Sequence, residues 1–460
     1  MMKKTRSVLI AAMLVVSLLA ACSGGNNADQ RASEPAKAGE PSASPTPPAK
    51  TADPVTLKFY HPYNDADASG MEQVIAGFER QNPDIRVEMV PLVPGNSVES
   101  LVKLDVALAS GEQADIVFMP SVEETMARAA LGVLAPLDDL YAAAGIRPEE
   151  EYYLNPKYDG KYYGVMNTTT NWMVLLNEDA LKEAGLTAPT FGWTWDDFRD
   201  YAKKMTKGEG PNKRYGTYFH NWGEYANMIV FTDRKNPFLT EELKPQFDDP
   251  SYKPFFEMRR AMESEDHSAK PYADVIGAKL NYRTEFFTGK AAMLITANFA
   301  LTSVGDQKNY PHAFKTVVAP LPRSSPNVEP GLTHIGGTYL AIPAESKHRE
   351  QAFKFIRYAT TDNKDRIWLS GWKKADSNAL VDRIYGQDAA LLDLASLKST
   401  LYDERVRTSV SPDIAVPYAN QLKKVLEDGF SKFILDNITV EEAQKRMMEE
   451  ADKIIKQNAK

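Results

Sequence analysis

The chain has 460 residues, 43% of them hydrophobic and 25% charged, with a formal net charge of −8 and one cysteine. That length holds two or three domains' worth of core in an ordinary globular composition. A single cysteine excludes an internal disulfide, no long basic block offers a nucleic-acid footprint, and the histidines (61, 220, 267, 312, 334 and 348) lack paired metal spacing.

Lys3, Lys4 and Arg6 precede an apolar run, Val8 to Ala21, which is too short to span a bilayer as a helix and suits a signal peptide. The run ends in Leu19-Ala20-Ala21-Cys22, which resembles a bacterial lipobox. By that resemblance residues 1–21 are removed and Cys22 carries a diacylglycerol. With a further acyl chain such as palmitate it would hold stably to a membrane, since one chain binds only marginally. Residues 22–53 are Gly, Asn, Ala, Ser, Pro and Lys with almost no large apolar side chain, so a disordered tether is expected, stiffened by Ser44-Pro45-Thr46-Pro47-Pro48.

From Val55 to Phe59 apolar and polar residues alternate as a first strand. His61 to Ala68 reads as a polar loop. Ser69 and Glu72 then form a capping box for a helix with Met71, Val74, Ile75 and Phe78 on one face. Ile85, Val87 and Met89 make a second strand, and a helix through Leu101, Val102, Asp105, Val106 and Leu108 ends at Ser110-Gly111. Ala114 to Met119 is the nearly continuous apolar run of a central parallel strand. The order β-α-β-α-β predicts an open α/β sheet, whose ligands bind beyond the carboxyl ends of the strands, here at His61–Asp67 and Pro120–Glu124.

Further on, Asp159-Gly160 predicts a tight hairpin turn. An extended run through Asn167–Asn171 leads into the apolar strand Trp172–Leu176. A short helix follows, with Ala180, Leu181 and Ala184 on one side and Gly185 as its stop, and a second helix starts at Thr194 with Asp197 at N3. This order resembles the central signature of family 1 extracellular solute-binding proteins, the receptors of sugar-type ABC importers. FERQNPDIRVEMV, LASGEQADIVFM, LGVLAPLDDL, the segment Phe286–Met293 and Gly336–Ile342 extend the resemblance over about Val55 to Lys456. Where the family often has a tryptophan after the Phe286–Met293 segment, this chain has Asn298-Phe299, which puts the family's usual ligand set in doubt.

The resemblance implies a two-lobed periplasmic-binding-protein-like α/β fold of type II, its lobes joined by a multi-segment hinge with the ligand cleft between them. It divides the chain into an N-terminal lobe of 54–167 and 299–335 and a C-terminal lobe of 168–298 and 336–460, with Phe286–Met293 as the point of return to the first lobe. Hinge candidates are Thr168–Asn171, Ile295–Phe299 and His334–Gly337, the Gly336-Gly337 pair tolerating large torsion changes. Sugars present apolar CH faces ringed by hydroxyls, so their sites need aromatic platforms beside polar side chains. The loop Tyr218–Glu224 supplies both, and Gly371-Trp372, with Trp368 one turn earlier, lies where the family places another cleft element. Stacking is expected of Trp222, Trp372 and Phe299, and hydroxyl bonding of His61, Asp65, Glu123, His220 and Asn298; Ser121, Thr170 and Gly337 complete the ligand-binding set.

Catalysis has no positive signal. Asp65, Asp67 and Ser69 imitate the start of a calcium loop whose twelfth place is Ala76 instead of Glu. Gly160-Lys161 and Gly289-Lys290 lack P-loop spacing, no GxSxG occurs, and the acidic pairs Glu123-Glu124, Asp138-Asp139 and Asp196-Asp197 read as solvated helix ends. The expectation is a monomeric, lipid-anchored extracellular receptor with no cofactor or metal, which passes a carbohydrate to ABC permease subunits; nucleic acid is not a partner. A Gram-positive type exterior fits the long tether and cysteine-free body better than a periplasm. Competing readings are a glycan-acting enzyme on the same scaffold and a receptor for another solute such as an amino acid, polyamine, thiamine or iron.

Overall fold

The computed structural model describes residues 54–233, 238–240, 242–361, 364–409 and 416–458; Cys22, the apolar run before it and the tether lie outside them. Strands run in chain order as β1 (Val55–His61), β2 (Ile85–Pro91), β3 (Ile116–Met119), β4 (Lys157–Tyr158), β5 (Lys161–Tyr162) and β6 (Val165–Asn177). They continue as β7 (Tyr215–Tyr218), β8 (Ala291–Ala297), β9 (Thr316–Ala319), β10 (Leu332–Ala341) and β11 (Arg407–Ser409). Among the described residues one sheet takes the order β2-β1-β3-β10-β6-β8-β7, with β11 added to β10 and β9 to β6. No helix among the described residues is long and apolar enough to cross a membrane.

The fold is a two-lobed α/β architecture, and β6 is the strand that both lobes share. The parallel pairs β1–β2 and β1–β3 build the first lobe, as the opening β-α-β-α-β order predicts. The first part of β6 pairs with β10, Thr168 opposite Thr338 and Asn171 opposite Ile335. Its last part pairs with β8, from Trp172 opposite Ala297 to Leu176 opposite Met293, and with β9.

These pairings interchange the lobes expected over 299–360. Every residue of β8 is buried, and the strand lies antiparallel to β6 and parallel to β7, so Phe286–Met293 leads deeper into the second lobe. The segment that follows stays there too, with Val318 held by the Ser396 hydroxyl at 3.0 Å. The return to the first lobe runs along β10, whose Tyr339, Leu340 and Ala341 pair with Met119, Phe118 and Val117 of β3. Helix Arg349–Thr360 then sets Phe355 against Phe59 and Phe78 of the first lobe.

Two local expectations also change. The first helix starts at Asp65, four residues before the predicted capping box, because the Asn64 side chain accepts from the Asp67 N–H at 2.9 Å. Helix Ser97–Ala109 buries Leu101, Leu104 and Ala107 and leaves Val98, Val102 and Val106 exposed. Elsewhere local chemistry and structure agree. Asp159 and Gly160 take φ of 48° and 73° in the β4–β5 turn. Thr194 and Asp197 close a reciprocal capping box, and Thr439 caps the helix Val440–Asn458 at the Glu442 N–H.

Candidate functional site: the cleft between the lobes

The carboxyl ends of β1 and β3, the middle of β6 and β10, and loops of the second lobe surround a cleft of about 720 Å³. That volume is typical of small-molecule sites. Its floor is the shared sheet, where Thr168, Thr169 and Thr170 of β6 face Gly336, Gly337 and Thr338 of β10. The three hinge candidates meet here. Asn298, just past β8, accepts from the Asn171 N–H at 2.7 Å and donates to the Thr169 carbonyl at 2.8 Å.

Two groups of rings line the cleft. On one side Tyr63 stacks on Trp368, centroids 5.5 Å apart and planes at 20°, and meets Phe118 edge-on. Trp368 is oriented by its indole N–H, which donates to Asp67 Oδ1 at 3.2 Å. On the other, Trp222 contacts His220, Tyr282 and Phe299 at centroid distances of 4.7, 5.4 and 6.1 Å. Three buried polar atoms of cleft-lining residues have no hydrogen-bond partner among the described residues: Tyr63 OH, Asn167 Oδ1 and Asn227 Oδ1.

Charge is distributed unevenly. Glu124 is ion-paired to Arg128 at 2.5 Å and Glu224 to Lys423. Burial pushes the Glu123 carboxyl up, against the pull of Lys423. Lys423 itself is held charged: burial opposes this, but Glu224, Glu123 and Glu427 outweigh it. Burial likewise raises Asp67, opposed by Trp368 and Arg283, and lowers His220 to about 4. His220 shares a 2.9 Å hydrogen bond between Nδ1 and the Tyr218 hydroxyl.

Of the residues singled out in the sequence, Ser121, Glu123, Thr170, His220 and Trp222 line the cleft, as do Asn298, Phe299 and Gly337. Ser121 is also the N-cap of helix Val122–Ala130. His61, Asp65 and Trp372 are not brought to it. His61 lies beneath Tyr63, accepting that residue's N–H at Nδ1 (3.1 Å), and Tyr63 takes the cleft position in its place. Asp65 is exposed at the start of its helix, and Asp67 is the carboxylate that reaches the cleft. Trp372 donates its indole N–H to Glu151 at 2.6 Å and pairs backbone with Tyr152, so it clamps the segment that returns to the second lobe.

Residues that sequence reasoning left out of the site are Tyr63, Asp67, Asn167, Asn227, Tyr282, Arg283 and Lys423, while Trp368, named there only beside Trp372, is the tryptophan of that pair that reaches the cleft. Tyr63 and Asp67 sit in the strand-end loop already marked for ligand. Tyr282, Arg283 and Lys423 carry no local signal, because helices remote in sequence deliver them.

The model of the bacterial extracellular solute-binding protein family matches residues 63–364. The chain belongs to that family. A curated relative, the sn-glycerol-3-phosphate-binding periplasmic protein UgpB of Escherichia coli, is 23% identical over 268 residues, 55% of this chain and 59% of the relative. The aligned part thus spans less than two thirds of that protein's length. Several solved structures share the fold. An ABC substrate-binding protein of Listeria monocytogenes in complex with cycloalternan superposes with a TM-score of 0.70 at 22% identity, covering 88% of this chain and 100% of that one. UgpB of Mycobacterium tuberculosis in complex with glycerophosphocholine gives 0.70 at 20% identity, with 89% and 100% covered. The maltose/maltodextrin-binding domain MalE of Bdellovibrio bacteriovorus, bound to maltotriose, gives 0.64 at 18% identity, with 87% and 100% covered.

Proposed function

We propose that this family member is the extracellular solute receptor of an ABC importer. It captures a carbohydrate, an oligosaccharide in length, by closure of the two lobes and hands it unaltered to the membrane permease. The observation that carries the reading is the composition of the cleft. Two sets of aromatic rings supply faces for sugar CH groups, and Tyr63 OH, Asn167 Oδ1 and Asn227 Oδ1 are left for hydroxyls. Buried polar atoms without partners are costly, and a polyhydroxylated ligand would satisfy them. Stacking falls to Trp222, Phe299, Tyr63 and Trp368, and polar contact to Glu123, His220, Ser121 and Thr170. Asn298 and Gly337 serve the floor more than the ligand, since the side-chain oxygen and the NH2 of Asn298 both already bond β6.

The protein acts as a monomer without catalysis or cofactor, tethered through a lipid on Cys22 to the outer face of a cell membrane of Gram-positive type. Structures of the same fold hold cycloalternan, maltotriose and glycerophosphocholine, which is consistent with a polyhydroxylated solute. The test is calorimetric titration of the full-length protein with oligosaccharides, followed by recovery and analysis of the ligand. Micromolar binding with intact ligand returned supports the receptor; turnover of the ligand, or no binding to any glycan, overturns it. Metabolic labelling with a palmitate analogue, compared with Cys22→Ser, tests the anchor.

A further inference from the structure

Among the described residues, the charges that line the cleft do not all find ion-pair partners. Arg283 makes no ion pair among the described residues, yet its guanidinium is held in place. It lies 4.6 Å from the centre of the Tyr282 ring and 5.9 Å from that of Phe299, and it donates to the Phe299 carbonyl at 3.3 Å. One face is therefore committed to aromatic rings and one N–H to backbone, which leaves further donors of a rigid planar fork at the cleft. Asp67, another cleft residue, attracts it electrostatically without an ion pair among the described residues, and Asp67 Oδ1 accepts from Trp368.

A second cation lines the same cleft. Lys279 also lines the cleft and makes no ion pair among the described residues. It ends the helix Tyr272–Gly277 in the left-handed region, φ 48°, with Leu280 N–H bonded to the Val275 carbonyl at 3.0 Å. Glycine suits that helix-ending position best, so a side chain there is held at a conformational cost. Residues in such sparsely populated conformations cluster at ligand clamps.

We propose that the solute carries an anionic oxygen group, a carboxylate or a phosphate, taken by Arg283 at the second-lobe wall of the cleft that Lys279 also lines. The inference rests on the receptor reading and narrows its substrate class to acidic glycans or sugar and polyol phosphates. A planar guanidinium that still has donors beyond those given to the Phe299 carbonyl and the Tyr282 hydroxyl can match such a group, and the rings behind it keep water from one side.

The experiment is titration of the full-length protein with five probes: trigalacturonate, its neutral methyl ester, maltotriose, glucose 6-phosphate and sn-glycerol 3-phosphate. The expected result is that the uronate or one of the phosphates binds about tenfold or more tightly than the neutral probes. Arg283→Gln then removes that preference, Arg283→Lys keeps part of it, and Asp67→Asn strengthens the anionic probe. The uronate and phosphate arms decide which anion is taken. Neutral probes that bind as well as the anionic ones, or a preference that survives in Arg283→Gln, overturn the inference and leave the receptor reading standing. If none of the five binds, the inference falls, and the wider oligosaccharide titration decides the receptor reading separately.

Discussion

The hydroxyls of Thr168 and Thr338 share a hydrogen bond of 2.8 Å across β6 and β10, beside the point where the register of the two strands shifts between Thr338 and Tyr339. This is where the chain passes from one lobe to the other. The two glycines before Thr338 are there for different reasons, and neither has a positive φ. A methyl group added at Gly337 would lie 2.5 Å from the Thr168 carbonyl oxygen and strike the Met166 side chain, whereas at Gly336 it would meet only the Thr170 Cβ, at 3.6 Å. Close approach, more than torsional freedom, requires glycine at 337.

Gly337→Ala should therefore destabilise the protein by about 2 kcal/mol or more, because backbone must move to admit the methyl group. Gly336→Ala should cost less than about 1 kcal/mol, as an ordinary van der Waals contact replaces open space. Urea unfolding of the two variants decides the matter; equal losses would mean that the strand pairing yields at both positions alike.

The two tryptophans expected to stack on ligand separate cleanly. Trp222 is 37% exposed in the cleft, so Trp222→Ala should lower ligand affinity about tenfold or more and cost under about 1.5 kcal/mol of unliganded stability. Trp372→Phe removes the donor to Glu151, whose side chain is only 13% exposed and keeps Arg357 and Lys374 as partners. It should cost about 1–2 kcal/mol of stability and leave affinity unchanged. Calorimetric titration beside denaturant unfolding reads both quantities; a stability loss at 222 without an affinity loss would make that residue core.

His220 gives the protein an acid-sensitive element. Burial lowers its pKa from 6.5 to about 4, so the folded state prefers the neutral ring. The stability this provides is present above pH 6.5 and is lost as pH falls through that value toward 4. His220→Gln should flatten the pH dependence of the thermal midpoint between pH 6.5 and 4 while lowering the midpoint at pH 7, where the Tyr218 bond is altered. A profile of unchanged slope would show that the ring charges without penalty.

Much of the first lobe was legible because its signals are local. Period-two alternation at Val55–Phe59 and the apolar run at Ala114–Met119 fix strands, and strand ends fix the ligand side of the sheet. Helix Ser97–Ala109 shows the limit. Leu101, Leu104 and Ala107 share one face and Val98, Val102 and Val106 another, both at helical spacing, so only the neighbouring strands decide which is buried. The crossings were hard for a like reason. β8 and the end of β10 are both apolar runs, and the lobe each joins depends on pairing partners more than a hundred residues away. Within the cleft the loop after β1 was marked, but Tyr63 was missed because His61, the more conspicuous polar residue, faces the core. Arg283 reaches the cleft through the fold of Tyr272–Phe287, which no spacing announces.

Contact between the lobes adds a charge arrangement that can be tested directly. Helix Val122–Ala130 of the first lobe touches helix Ala419–Leu435 of the second. There one ammonium, Lys423, faces Glu123 from across the cleft and Glu224 and Glu427 from its own lobe. Glu427 in turn accepts the Gly223 N–H at 2.9 Å. Lys423→Met keeps the aliphatic stem and leaves three carboxylates facing one another. The loss should be about 2 kcal/mol at pH 7, below that of a fully buried pair because the Lys423 and Glu224 side chains are 29% and 25% exposed. Burial already raises Glu123 and Glu427, and removing Lys423 raises them further. Folded-state values above the unfolded ones mean stability that is present in acid and lost as pH rises, so the deficit of the variant should shrink as pH falls into the carboxylate range. A double-mutant cycle with Glu123→Gln isolates the term between lobes. Coupling of about 0.5 kcal/mol or more is expected if Lys423 holds the lobes together through Glu123, and additive losses would confine its role to Glu224 and Glu427 within the second lobe.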